Sequence, residues 1–531
     1  MKETPVFSTA AVVAPHALAA QAGRDILAQG GNALEAMVAM AASVAVAYPH
    51  MNGIGGDGFW VIRTPDGKVR AIEACGFAGE KATIPAYRAK GYENVPPRGA
   101  DAALTVAGAI GGWIRALDLS AAVSSQLPLR ILLEAAIAQA RAGVPISTSE
   151  GRYSVKEREA ILAAPGFASH FAGKDGKQPE AGSIRTQPAL AATFEQLSHA
   201  GFDDFYRGDI AREIAADLDR VGAPVTRSDL KRYEARWREP LQVRVRDMVL
   251  YNCPSPTQGI ASLMLHAIFD QIAAPRAESV AHLHGLIEAG KRAYAIRDRI
   301  VTDFDHMRVD PLDMLNPAAI AKEAAAIRMD RAAEWPFVSA DGDTIWMGAI
   351  DGSGLAVSFI QSLFWEYGSG VVLPGTGILW QNRGMAFSLD PQSLNPLQPG
   401  RRPFHTLNCP LAVFDDGRVS PYGAMGGDGQ PQFQAQVFFR AIRYGMSISE
   451  ALDRPRYLFG RGWGQKSATL KIENRFDGAV ISSLEKLGHE IERIDRPYAD
   501  MFGHAGMLVR DQNGQVSGDH DPRADGGAMG I

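Results

Sequence analysis

Apolar residues recur at helical spacing from residue 16 to 47, and the pattern is cut once, by Gly30-Gly31-Asn32. A glycine pair that stops one helix and an asparagine that caps the next predict two packed helices. After MNGIGGDG the period changes, because FWVIR and KVRAIEA are β-rich runs flanking Pro-Asp-Gly, a hairpin turn signal. Helical spacing returns over 129–142, 189–199 and 279–302, with shorter polar, Pro- and Gly-containing connections between. The first two-thirds therefore reads as mainly helical. Beyond Asp341 the texture turns to strands: TIWMGAID and LAVSFIQS lie either side of Gly-Ser-Gly, and CPLAVFDDGRVSPYG and GMLVRDQNGQVSG repeat the hairpin pattern. Helix-like segments at 433–444 and 479–487 separate them. The pattern predicts an α/β fold of largely antiparallel sheets covered by helices, with no tandem repeat and no low-complexity linker.

A chain of 531 residues exceeds one simple core, so two domains or one large layered domain is expected. Its 46% hydrophobic and 21% charged residues are those of an ordinary compact globular protein. A net charge of -5 and a pI near 6.2 supply no basic stripe, which argues against nucleic acid as a partner. Cys75, Cys253 and Cys409 are far apart and form no CxxC pair, as suits a reducing compartment. The N-terminus lacks a basic region followed by an unbroken apolar run, and no window approaches about 18 uninterrupted apolar residues. Neither a secretory signal nor a membrane partner is expected, and the default location is cytoplasmic.

Several familiar chemistries are not signalled. GIGGDG at 53–58 is followed by a strand rather than a helix, which favours a tight backbone turn over a dinucleotide loop. There is no Walker sequence, no HExxH, no closely spaced ligand set of the kind zinc requires, and no GxSxG at a strand-to-helix elbow, so no metal and no cofactor are expected. What remains is ADGDTIWMGAID, a polar loop running into a strand that begins at Thr344. By itself this is what any strand threonine looks like.

Ordered motifs change that reading. MNGIGGDGFWVI, EKATIPAYR, the run DTIWMGAIDGSGLAVSFIQSLFWEYGSGVVLPGTGILWQNRGMAFS, RRPFHTL and GAMGGDGQ together resemble the γ-glutamyltransferase family of N-terminal-nucleophile hydrolases over most of the chain. The resemblance implies a four-layer αββα sandwich with two stacked, largely antiparallel sheets. It also implies autocleavage between Asp343 and Thr344 into subunits 1–343 and 344–531, which pair as one intertwined heterodimer. Thr344 then takes the nucleophile's place, Gly426 and Gly427 match the oxyanion pair, and Ser362 falls where a hydroxyl orients the nucleophile. A terminal threonine suffices for acyl transfer, because its α-amino group, with an ordinary pKa of about 8, serves as its own general base.

The departures from the family pattern are informative. The glutamate-binding Arg aligns near Cys75, the ammonium-binding acid aligns with Ala386, a pocket Asn aligns with Phe364, and the Thr-Thr-His start is Thr344-Ile345-Trp346. In their place Arg383 enters where the family has a neutral Gln, and His405-Thr406 replace a Ser pair; Asn382 adjoins them. A guanidinium fork suits a carboxylate. Arg383, His405, Thr406 and Asn382 are therefore the substrate-binding candidates, for a small carboxylate-bearing amide of which oxamate, giving oxalate and ammonia, is the leading case. Two alternatives stay open: a γ-glutamyl compound such as glutathione as substrate, and a non-catalytic member that binds or scaffolds.

Overall fold

A computed structural model describes residues 3–124, 126–152, 158–172, 177, 179–334, 342–460 and 469–531. Asn32 caps the second of the two expected helices, Ala17–Ala28 and Ala33–Ala47. Its side chain accepts from the Leu34 and Glu35 backbone N–H groups, and Glu35 returns a bond to the Asn32 N–H, a reciprocal capping box. Every residue of Ala33–Ala47 is buried, which its Ala/Val/Met composition permits on all sides.

Two seven-stranded sheets form the middle of the molecule. The first runs in the order Gly527–Gly530, Ala11–Ala14, Asp343–Ile350, Ala356–Phe364, Asp57–Arg63, Val69–Ala74, Arg236–Arg238, and all its ladders are antiparallel. The second runs Val6–Phe7, Val516–His520, Ala505–Arg510, Val419–Ala424, Leu411–Phe414, Met248–Asn252, Leu241–Val245, again antiparallel throughout. The four hairpins read from the sequence are all present. Residues of both sheets, among them Phe59, Trp346, Ile360, Leu411 and Leu508, share one apolar layer between them. A second apolar layer joins the first sheet to helices that include Ala33–Ala47, and a third joins the second sheet to Gly259–Asp270, Val280–Ile300 and Gln430–Phe438. The result is the αββα sandwich implied by the resemblance.

The two sheets touch closely where Trp346 points from one to the other. A Cβ on Gly423 would overlap the indole Cδ1, so glycine is the residue that lets the ring lie there. The indole Nε1 donates to Ser358 Oγ at 2.9 Å.

The stretch before residue 343 is rich in helix and supplies strands to both sheets, so 1–343 and 344–531 interleave in one body. Two details differ from the sequence reading. The helix expected over 433–444 is Gln430–Phe438 continued by a π-helical turn at Phe439–Arg443. A separate three-stranded sheet, Tyr457–Phe459, Leu470–Glu473 and Ile491–Ile494, contains a parallel pair that no hairpin signal announces. No helix among the described residues is long and apolar enough to cross a membrane.

Candidate functional site

Thr344 lies in the central strand Asp343–Ile350 at an irregularity of the ladder. Asp343 pairs with Phe364 and Ile345 with Gln361, so Ser362 and Leu363 together face the single residue Thr344. Such a bulge re-aims side chains that regular alternation would point elsewhere. It brings Thr344 Oγ1 to 3.3 Å from Ser362 Oγ, to which it donates, and Ser362 Oγ also accepts from the Phe364 N–H at 2.8 Å. Phe364 absorbs the distortion with φ 86°, a conformation a side-chain-bearing residue rarely adopts. Gln430 Nε2 reaches Thr344 Oγ1 at 3.5 Å from the other side. Thr344 is 1% exposed. Residues 335–341, which precede it, lie outside the described residues, as does the Asp343 side chain.

Gly426 and Gly427 follow the strand Val419–Ala424 and open the helix Gln430–Phe438. Both have positive φ, 120° and 54°, and their backbone N–H groups have no acceptor among the described residues. A Cβ on Gly342, two residues before Thr344, would sit 3.4 Å from Gly427 Cα, so the turn packs against the start of the nucleophile strand. Three residues that sequence reasoning missed hold it. Gln258 Nε2 donates to the Gly427 carbonyl at 3.0 Å and to the Thr406 carbonyl, Arg297 Nη1 binds Gln258 Oε1 at 2.6 Å and Asp428 Oδ1 at 2.7 Å, and the Tyr294 hydroxyl donates to the Asp428 carbonyl. Tyr294 and Arg297 come from the helix Val280–Ile300 and Gln258 from just before the helix Gly259–Asp270, and no spacing rule connects them to a glycine pair.

Arg383 is buried, 1% exposed, with no carboxylate paired to it among the described residues. Its guanidinium carbon lies 3.7 Å from the centroid of the Phe364 ring, Nη1 donates weakly to Thr406 Oγ1 at 3.5 Å, and Nη2 has no partner. Burial pulls its pKa down to about 9, against the opposing pull of Asp57. Neighbouring arginines are committed elsewhere: Arg402 pairs with Glu73 at 2.9 Å, and Arg401 donates to Thr302 Oγ1 at 2.7 Å. Two sequence departures, Phe364 and Arg383, are thus in direct contact.

His405 is fully buried against Phe59, and neither ring nitrogen has a hydrogen-bond partner. Burial, then the charges of Arg383 and Arg402, hold its pKa well below the usual histidine value, so the ring is neutral. Its Nε2 faces Asp57 Oδ2 at 3.6 Å. Asp57 was not singled out from the sequence, although it is the one acid in GIGGDG. It lies opposite Ser362 in the ladder, and its Oδ1 accepts from the Gly76 and Gly108 N–H groups and from Gln381 Nε2 at 3.0 to 3.1 Å. Oδ2 has no hydrogen-bond partner, and burial pushes the carboxyl up to about 7 despite those bonds. The glycine loop therefore delivers an acid rather than cradling a phosphate. Asn382 differs from the other candidates: Oδ1 accepts from the Trp365 N–H, and Nδ2 donates to the Pro97 carbonyl and contacts Met385 Sδ. Its polar ends are spent on backbone.

The arrangement is a hydroxyl flanked by hydrogen-bonding side chains, free amide N–H groups in a glycine turn, and a buried Arg/His/Asp set with unsatisfied atoms. Buried polar atoms without partners cost about 1–3 kcal/mol each, and their clustering marks a place shaped for a ligand.

The family model described as Gamma-glutamyltranspeptidase matches residues 19–531. The chain belongs to that family. Among curated relatives in this family, the Oxamate amidohydrolase proenzyme of Klebsiella pneumoniae subsp. pneumoniae is 46% identical over 531 residues, covering all of both chains. A Glutathione hydrolase-like proenzyme of Bacillus subtilis is 36% identical, again over the full length of both. In three dimensions the chain matches cephalosporin acylase from Bacillus halodurans with a TM-score of 0.89 at 31% identity, covering 100% of this chain and 97% of that one. The fold is that of the N-terminal-nucleophile amidohydrolases, and the chain is an enzyme of that type.

Proposed function

We propose that this family member cuts itself between Asp343 and Thr344 and then hydrolyses a small carboxylate-bearing amide, oxamate being the leading substrate. The observation that carries the substrate class is Arg383, a buried guanidinium whose Nη2 has no hydrogen-bond partner and which pairs with no carboxylate among the described residues. Full-length similarity to a relative named for oxamate supports the same reading.

In the precursor, Thr344 Oγ1 attacks the Asp343 carbonyl carbon and the C–N bond breaks, which frees the threonine amine; water then hydrolyses the resulting ester, releasing the Asp343 carboxylate and restoring the Thr344 hydroxyl. The same oxygen then attacks the substrate amide carbon. The α-amine takes the hydroxyl proton and passes it to the departing nitrogen, ammonia leaves, and an acyl ester remains on Thr344 until water releases the second carboxylate. Ser362 orients Oγ1, while the Gly426 and Gly427 N–H groups stabilise the developing oxyanion. Arg383 holds the substrate carboxylate with help from Thr406 and His405, and Asn382 fixes the backbone around them. The products 1–343 and 344–531 stay paired, because their strands share both sheets.

The γ-glutamyl alternative is kept by one observation, the relative named as glutathione hydrolase-like. Ammonia release from oxamate, set beside anilide release from a γ-glutamyl anilide, separates the two. Turnover of oxamate alone is expected; turnover of the anilide alone would overturn the substrate assignment while leaving the reaction class intact.

A further inference from the structure

Away from Thr344, three metal-ligating side chains converge. His284 and Glu288 sit one turn apart on the helix Val280–Ile300, and His489 arrives from 205 residues further along, just before the strand Ile491–Ile494. One donor atom from each lies within 4.8 Å of the others, and all three residues are buried. Sequence spacing does not announce the cluster, because its third member comes from so distant a segment.

The cluster has the second layer of contacts that metal ligands require. His284 Nε2 faces the Arg328 carbonyl at 2.9 Å, which places the proton on Nε2 and leaves Nδ1 as a lone pair aimed at His489 Nε2, 2.8 Å away. Glu288 is held from outside: Lys291 Nζ donates to Oε1 at 2.8 Å and the Ala333 N–H to Oε2 at 3.1 Å, leaving one lone pair on each oxygen. Two imidazole nitrogens bound to one tetrahedral zinc stand about 3.3 Å apart, so an ion needs the rings to separate by roughly 0.5 Å. Of the three ligands His489 lines a cavity of about 560 Å³, which Lys291 also borders.

We propose that His284 Nδ1, His489 Nε2 and a Glu288 oxygen bind one divalent transition-metal ion of the zinc class, with a cavity water in the fourth position. On binding, the His489 proton moves from Nε2 to Nδ1, so the ring stays neutral and Nε2 offers its lone pair to the ion in place of its bond to His284. It fastens the helix Val280–Ile300 to the small three-stranded sheet, beside the point where Ala332 donates to the Leu487 carbonyl. His284 and Glu288 precede residue 343 and His489 follows it, so under the proposed cleavage the ion joins the two products; metal binding itself does not depend on cleavage.

The test is equilibrium dialysis of chelator-stripped full-length protein against Zn²⁺ alone, with metal content measured by mass spectrometry. One zinc per chain is expected in the wild type, and its loss in His489→Ala and in the more conservative His489→Gln. X-ray absorption of the wild-type zinc form should show two imidazoles with oxygen donors. No stoichiometric uptake by the wild type, equal uptake by either folded variant, or a shell without imidazole would overturn the proposal.

Discussion

Replacing Arg383 by methionine should make the protein more stable and much less active at once. The guanidinium is 1% exposed, and burial lowers its pKa from 12.5 to about 9. That difference corresponds to about 5 kcal/mol favouring the neutral form, a cost carried by the charged group in the free protein. The sign follows from linkage: the unfolded chain binds the extra proton between pH 9 and 12.5, so the penalty is fully present below pH 9. Methionine removes the charge but forfeits the contact with Phe364 and the weak bond to Thr406, leaving a net gain of about 2 kcal/mol. For a chain of 531 residues that is a rise in Tm of about 2 °C by calorimetry at pH 7.5. Losing two charge-assisted hydrogen bonds to a substrate carboxylate, at about 1.5–3 kcal/mol each, should lower kcat/KM for oxamate by about 10²- to 10⁴-fold. A neutral amide of similar size should be affected little. A variant that melts several degrees lower while hydrolysing oxamate normally would refute the assignment of Arg383 as a carboxylate receptor and make it a structural cation.

Three further outcomes follow from the same geometry. Asp57, pushed up to about 7, is protonated and uncharged below that value, so an anionic substrate should bind best there; KM should rise about tenfold per pH unit above it, and Asp57→Asn should flatten that profile. Arg297→Ala leaves Asp428 and Gln258 without their buried partner, so denaturant titration should show a loss of about 3–5 kcal/mol, with slower self-cleavage as the glycine turn loosens. Gly423→Ala forces the Trp346 indole from its place between the sheets, and a loss of about 1–3 kcal/mol is expected by the same titration; unchanged stability would show that the ring is free to move.

Local signals were read correctly where the chemistry is local. Asn32 caps a helix through its own neighbours, and Pro65-Asp66-Gly67 turns a hairpin whatever surrounds it. Thr344 became visible only through ordered motifs, because its distinction is a bulge set by Ser362 and Leu363 on the next strand. Asp57 sat inside a motif that drew notice for its glycines, and its unusual proton affinity arises from burial, which composition does not record. Gln258, Tyr294 and Arg297 escaped because their purpose is to brace a turn more than 130 residues away in sequence. Asn382 was placed with the binders by adjacency to Arg383, and the backbone bonds at both its ends are a tertiary fact.

The most direct measurement is intact mass and N-terminal sequencing of purified wild type and Thr344→Ala after prolonged incubation. The wild type should yield two chains, the smaller beginning at Thr344, and the variant should remain one chain of 57.0 kDa that releases no ammonia from oxamate. Wild-type protein that hydrolyses oxamate while still a single chain, or a variant that divides at the same bond, would contradict the assignment of Thr344 as the nucleophile.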